Sequence, residues 1–223
     1  MSIDLVVQRR NQMKKAIKQS VLFFFGFLIT SEQVLTKGWL YEVDHHVVNL
    51  RHYRITGMAS HLLLAMDDLG LRWFTATILL VSAAIIGLRF KSFRPLNLSL
   101  LALLSLNLVV GLSKIIFGRS KPRLHFDELH VGGLSYPSGH AANALISWGL
   151  LAYIIYRYTK RAPFNGVKLN WLVAVFTLSV CTASLLRNTH WLSDLIGGLF
   201  LGGSILVAII AVDRYFPSVK QPS

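Results

Sequence analysis

The chain has 223 residues, 53% of them hydrophobic and 15% charged, with a mean hydropathy of +0.52. A soluble domain carries about 25% charged residues, so this composition excludes a disordered chain and argues against an ordinary soluble globule. The net charge of +13 leaves two classes of partner, a nucleic acid or an anionic membrane surface, and the placement of the charges decides between them.

Read from one charged residue to the next, the long uncharged windows are 19–31, 73–88, 95–113, 129–156, 169–186 and 195–212. A span needs about 20 mainly apolar residues, a length these windows reach once snorkelling Arg or Lys and interfacial Trp are added at their ends. Six spans are therefore expected, since a soluble fold of this size could not enclose six helices apolar on nearly every face. The first window is the shortest and is expected to extend outward past Glu32 toward Trp39 and Leu40. A basic stretch precedes its apolar run, Val21 to Ile29, as in a signal peptide; no small-residue cleavage site follows, so a retained span is expected.

With six spans the connections alternate sides. One side collects Arg9, Arg10, Lys14, Lys15, Lys18, Arg89, Lys91, Arg94, Arg157, Lys160, Arg161, Lys168, Arg214 and Lys220, opposed only by Asp4 and Asp213. The positive-inside rule makes that side cytoplasmic, with both termini on it. The basic charge is thereby explained by a membrane with no nucleic acid, and no aromatic-basic interleaving of the single-strand-binding kind occurs. The expected fold is all-α, a polytopic six-transmembrane-helix bundle forming a single domain over 1–223. The longest outer connection is 41–72, within which Ile55 to Met66 reads as a short interfacial helix. Cys181 is alone, so no disulfide framework exists. Gly198 and Gly202 form a GxxxG pattern that marks close helix packing.

The unusual polar residues fall at the outer ends of the later spans. Lys114, Arg119, Lys121 and Arg123 place four cations within ten residues, with Lys114 and Lys121 two turns apart on one face if the helix continues. Such a cluster is either a stop-transfer signal or an anion site, and a stop-transfer cluster belongs on the inner side. Next, Tyr136-Pro137-Ser138-Gly139-His140 describes a helix start, with a capping serine and a glycine open to close approach. A helix start offers free N–H groups and a positive dipole to a phosphate, or it is a plain cap with an interfacial histidine. Third, His190 and Asp194 are four residues apart, on one face if helical, where the carboxylate can orient the ring. That pair is a local hydrogen bond or an oriented nucleophile. The convergence of all three constellations on one side favours chemistry on a phosphate.

At these residues the chain resembles the type 2 phosphatidic acid phosphatase (PAP2) family of membrane lipid phosphatases, related in their core to vanadium haloperoxidases. The family pattern Lys-x6-Arg-Pro, Pro-Ser-Gly-His and Ser-Arg-x5-His-x3-Asp is met by Lys114-x6-Lys121-Pro122, Pro137-Ser138-Gly139-His140 and Ser184-x5-His190-x3-Asp194. The resemblance covers roughly residues 70–212. Two positions depart from it: Lys121 replaces an arginine and loses its bidentate fork, and Ser184 stands where the third motif has its arginine. Arg187, Arg119 or Arg123 are the candidates to supply the missing cation.

The resemblance implies that His190 attacks phosphorus, with Asp194 orienting it and His140 protonating the leaving group. It implies that Lys114, Lys121, Ser138 and the Gly139 N–H hold the phosphoryl oxygens, with Arg187 as a candidate addition from this chain's own sequence. No cofactor and no metal is implied: His45, His46, His52 and His61 form no recognisable ligand set, and Asp67-Asp68 reads as a solvated pair. The expected function is a lipid phosphatase at the outer face of the plasma membrane, acting on phosphatidylglycerol phosphate, phosphatidic acid or a polyprenyl diphosphate. A lipid phosphotransferase and a non-catalytic lipid-phosphate binder or transporter are the alternatives. The stretch Leu124 to Ser135, with His125, Asp127, Glu128 and His130, either lines the entrance and reads a head group or is a solvated loop.

Overall fold

The computed structural model of the protein describes residues 3–49, 55–124, 126–159 and 169–216, and their regular structure is helical. In chain order the elements are α1 (Ile3–Leu35), α2 (Trp39–Asn49), α3 (Met58–Asp68), α4 (Arg72–Arg89), α5 (Arg94–Phe117), a 3-10 turn (Pro122–Leu124), α6 (Gly139–Thr159), α7 (Leu169–Leu186) and α8 (Leu192–Tyr215). The residues His52, His125, Lys160, Arg161, Lys168 and Lys220 lie outside the described residues.

Helix α1 corrects the expectation for the first window, because it extends toward the N-terminus through Lys14, Lys15 and Lys18 and stops at Leu35. The lysines, glutamines and alanine of that stretch are good helix formers. The expected extension toward Trp39 and Leu40 is blocked at Lys37, which takes a left-handed conformation, while the Gly38 N–H donates to Gln33 O at 2.9 Å. Trp39 and Leu40 instead open α2, which is bent from α1 by 74°. By length and composition four helices are able to cross a membrane: α4, α5, α7 and α8, with α1 and α2 passing as one bent pair. The window 129–156 also needs correcting: residues 129–138 form a loop, and α6 starts at Gly139, with His140, Asn143 and Ser147 in its first turns. The expected short helix in the outer connection is present as α3, and α2 is an addition to it.

Helix α8 is the packing centre, with α1, α2, α5 and α6 against it. A Cβ on Gly198 would lie 2.5 Å from Ser138 O, and one on Gly202 would lie 3.0 Å from Ala142 O, so both glycines serve the α6–α8 contact. The core between the helices contains Leu79, Leu106, Val110, Tyr136, Ile146, Leu150 and Leu201. Polar side chains within helices satisfy themselves on the preceding turn: Ser31 donates to Phe27 O, Ser99 to Pro95 O and Ser113 to Val109 O, each at 2.8 Å. This is what apolar surroundings require of a buried hydroxyl. Large apolar side chains such as Leu88, Leu104, Leu108 and Ile115 point outward.

The helices run alternately up and down. The start of α5, the end of α6 and the end of α8 meet through Arg94, Tyr153, Arg157 and Asp213. The early turns of α1 reach the same end, where Met13 and Ile17 line a groove with Val212 and Tyr215. The end of α5 and the starts of α6 and α8 gather at the opposite end, and there the three motifs meet.

Candidate active site

Lys114 lies in the last turn of α5, which stops at Gly118 in a left-handed conformation, with its N–H on Lys114 O at 2.9 Å. Lys121 therefore sits on the following loop and not two turns along the same helix face, which corrects the helical-face expectation. The Lys114 ammonium donates to Leu134 O at 2.5 Å, and a Cβ on Gly139 would lie 3.9 Å from its Nζ. The first-motif lysine thus lies over the first turn of α6. Its loop folds back on itself: Gly133 N–H donates to Gly118 O at 3.0 Å, and Ser135 N–H to Arg119 O at 3.0 Å. Gly133 is obligatory there, since a Cβ would lie 2.1 Å from Arg119 O.

Ser138 caps α6, its Oγ accepting from the Ala141 N–H at 3.3 Å. The Ser138 N–H donates to Asp194 O at 2.8 Å, which ties the second motif to the third. His140 stands in the first turn, with its ring centroid 6.1 Å from that of His190. Beneath them Tyr136 is fully buried and shares a 2.8 Å hydroxyl hydrogen bond with Ser31; burial pushes its phenol above the usual range.

His190 and Asp194 do not share a helix face, as the spacing suggested. Asn188, with φ of 53°, turns the chain after α7, His190 lies just before α8, and Asp194 caps that helix from its third position. The pair meets across the helix start, His190 Nδ1 to Asp194 Oδ2 at 3.4 Å, with His190 5% exposed and Asp194 fully buried. Since Nδ1 faces the carboxylate, Nε2 is the nitrogen left for a reacting group. Asp194 Oδ2 also accepts from the Trp191 N–H at 2.9 Å and from the Ser135 hydroxyl. Its Oδ1 accepts from Arg119 Nη1 at 3.0 Å.

Arg119 is consequently no loose cation to replace the third-motif arginine. It is 1% exposed and paired with Asp44, Asp127 and Asp194. Asp127 is buried in this pairing, so it belongs neither to a solvated loop nor to an exposed head-group reader. Ser184 donates to Asp67 Oδ1 at 2.6 Å, and Arg187 Nη1 to Asp67 Oδ2 at 2.5 Å. Asp67 is 6% exposed, against the expectation of a solvated pair. The α3–α4 corner that carries it rests on α6, where Asn143 donates to Gly70 O at 2.9 Å and a Cβ on Gly70 would lie 2.9 Å from His140 O. Asp44, Asp67 and Ser193 carry no site role in the sequence reading, and Asp127 and Ser135 read there only as parts of an entrance or a solvated loop. The acidic pair Asp67-Asp68 at the end of the mainly apolar α3 was the one available signal. No group of three or more His, Cys, Asp or Glu placed to hold a metal occurs among the described residues.

The family profile of the PAP2 superfamily matches residues 95–217, more than half of the chain and all three motifs. The chain belongs to the PAP2 superfamily. Its fold is similar to the crystal structure of a transmembrane PAP2-type phosphatidylglycerolphosphate phosphatase from Bacillus subtilis. The TM-score is 0.78 at 18% identity, over 91% of this chain and 99% of that one. Among curated proteins none matches. This PAP2 chain is thus a multi-pass membrane protein by fold and by its apolar helices. Asp44 and Asp67, which reach into the site from α2 and α3, precede the residues that the family profile matches.

Proposed function

We propose that this PAP2 protein is an integral membrane lipid phosphatase that hydrolyses a phosphomonoester or diphosphate of a membrane lipid through a phosphohistidine on His190. The observation that carries this reading is the meeting of His190, anchored at Nδ1 by Asp194, with His140 at 6.1 Å between ring centroids on the rim of a helix start. The support also includes the superfamily membership and a phosphatase as structural neighbour.

In the reaction, His190 Nε2 attacks phosphorus as the bond to the leaving oxygen breaks, and protonated His140 gives that oxygen its proton. His140, now neutral, then takes a proton from a water that attacks phosphorus; the P–N bond breaks and phosphate leaves. Lys114, Lys121, Ser138 and the Gly139 N–H hold the non-bridging oxygens, with Arg187 at the edge of the set, and no metal takes part. Their combined positive charge suits a group carrying up to two negative charges. We read α1 and α4 to α8 as six spans of one domain in the plasma membrane. Both termini are cytoplasmic, by the basic end of the bundle, and the site opens on the outer face.

The test is phosphate release in excess EDTA from phosphatidic acid, phosphatidylglycerol phosphate and a polyprenyl diphosphate, with His190→Ala alongside. Release that resists EDTA and is lost in the variant is expected. No release from a protein that still binds these lipids would instead indicate a non-catalytic binder, and transfer of phosphate to an added lipid alcohol would indicate a phosphotransferase.

A further inference from the structure

Arg119 lies inside the first motif, where a cation reads as a ligand for phosphate, yet its donors are spent within the protein. Nε and Nη2 donate to Asp127 at 2.8 and 2.5 Å, and Nη2 also to Asp44 at 2.8 Å. Nη1 donates to Ser193 Oγ at 2.7 Å and to Asp194 Oδ1 at 3.0 Å, while the guanidinium lies 5.1 Å from the Trp191 ring. The same Asp44 accepts from the Ser193 N–H at 2.8 Å and so caps α8 from outside. Arg119 is the joint at which α2, the loop after α5 and the start of α8 meet.

We infer that Arg119 is a positioning residue of the catalytic pair: by holding Asp194 Oδ1, it fixes the plane of the carboxylate whose Oδ2 faces His190 Nδ1. A carboxylate can turn about its bond to Cβ, and a single contact to His190 would not stop it. Here Oδ1 is held by the guanidinium, and Oδ2 by the Trp191 N–H and the Ser135 hydroxyl. Orientation of the base by a fixed third group is what makes an imidazole nucleophilic in a chosen direction. A purely structural ion pair would need one acid for one arginine. Three acids crowd this one, and the acid that extends to the reacting histidine is among them.

The role is also electrostatic. Other charged and titratable groups facing the cluster are His45 from α2, Lys114 from α5, Lys121 and Tyr136 from the loop before α6 and, through His190, His140 from α6; Asp67 from α3 and Arg72 from α4 act on these in turn, and Arg187 after α7 pairs with Asp67. Loss of the guanidinium leaves the Asp194 carboxylate less opposed, which strengthens its attraction for a cationic imidazole.

This inference rests on the phosphatase reading for its kinetic arm and is independent of it for its second arm. The kinetic arm measures phosphate release from phosphatidic acid in detergent micelles by wild type, Arg119→Lys and Arg119→Met. The second arm follows the titration midpoint of His190 by hydrogen exchange at its C2 carbon, read by mass spectrometry, which needs no turnover. Arg119→Lys should lower kcat roughly tenfold and Arg119→Met roughly 100-fold, the span of one to two charge-assisted hydrogen bonds, with KM within about threefold. The His190 midpoint should rise in Arg119→Met, and less in Arg119→Lys. If neither variant folds, Asp44→Asn, which keeps an acceptor for the Ser193 N–H, should lower kcat a few-fold and move the midpoint down. An unmoved midpoint with kcat within twofold of wild type, in any folded variant, overturns the inference. Inactive wild type with a midpoint that still moves would leave Arg119 in place and sink the phosphatase reading alone.

Discussion

The two ends of the helix bundle each bury an ionic cluster, and the clusters are charge inverses. At the basic end one acid, Asp213, sits among cations: Arg94 donates to it, Arg157 Nε lies at 2.9 Å, and the Tyr153 hydroxyl donates at 2.6 Å. Both arginines keep about a fifth of their side chain exposed, and Arg214 stacks over Tyr153 at 5.6 Å. At the motif end one arginine sits among three acids, all nearly dry. The difference lies in where the networks stop. Asp213 of α8 takes its bonds from α5 and α6, which makes a clasp. The network of Arg119 runs on through Asp194 to His190, so a change in it reaches the histidine proposed to react. Breaking the first cluster should cost stability, and breaking the second should cost turnover.

The largest effect expected at the motif end is that of His190→Ala, which removes the proposed nucleophile and should lower phosphate release roughly 10⁵-fold or more. His140→Gln should cost about 10²- to 10⁴-fold on a lipid substrate, the range for a lost general acid. With p-nitrophenyl phosphate, whose leaving group needs little protonation, the loss should shrink to a few-fold; equal losses on both substrates would remove His140 from that role. The same pair predicts a bell-shaped rate against pH, because turnover needs one histidine neutral and the other protonated. A flat profile between about pH 5 and 9 would contradict both assignments. At the basic end, Asp213→Ala leaves buried arginine donors without an acceptor and should cost about 3–5 kcal/mol of stability. Phosphate release per folded molecule should be unchanged. A thermal melt in detergent beside an activity assay checks both halves, and lost activity in a stable variant would end the distinction between the clusters.

Much of this was legible because the chemistry sits on short motifs. Pro137-Ser138-Gly139-His140 reads as a helix start from its residue types, and α6 does begin at Gly139 with Ser138 as its cap. Gly198 and Gly202 read as a packing face, and they meet the backbone of α6. Motif readings that assumed a continuing helix went astray. Gly118 ends α5 before Lys121, and Asn188 ends α7 before His190, both in left-handed conformations that periodicity does not register. Long-range partners were the least legible. Asp44 is 75 residues from Arg119 and Asp67 is 120 from Arg187, while Asp127, 8 residues from Arg119, is brought to it only by the fold of their loop. An acid next to a window boundary looks solvated until the element that covers it is known.

The smallest predicted effect concerns Arg187, and it sharpens what the motif end lacks. With Ser184 in place of an arginine, the remaining guanidinium of the third motif is Arg187, one turn later, and Asp67 holds it by Nη1 at 2.5 Å. A paired arginine offers a phosphate less than a free one, because the carboxylate already opposes most of its charge at that range. Its side chain is 31% exposed, so solvent screens the remainder. Arg187→Met should therefore lower kcat/KM only about tenfold, near the lower end of the range for a charged hydrogen bond, and mostly through KM. Asp67→Asn keeps the acceptor for Ser184 but removes the opposing charge, so KM for a lipid monophosphate should fall a few-fold, an effect that fades with added salt. If Arg187→Met leaves KM untouched, the phosphate is gripped from the α5 and α6 side alone, by Lys114, Lys121 and the start of α6. The Asp67–Arg187 pair would then be a bolt between α3 and α7, a small counterpart of the clasp around Asp213.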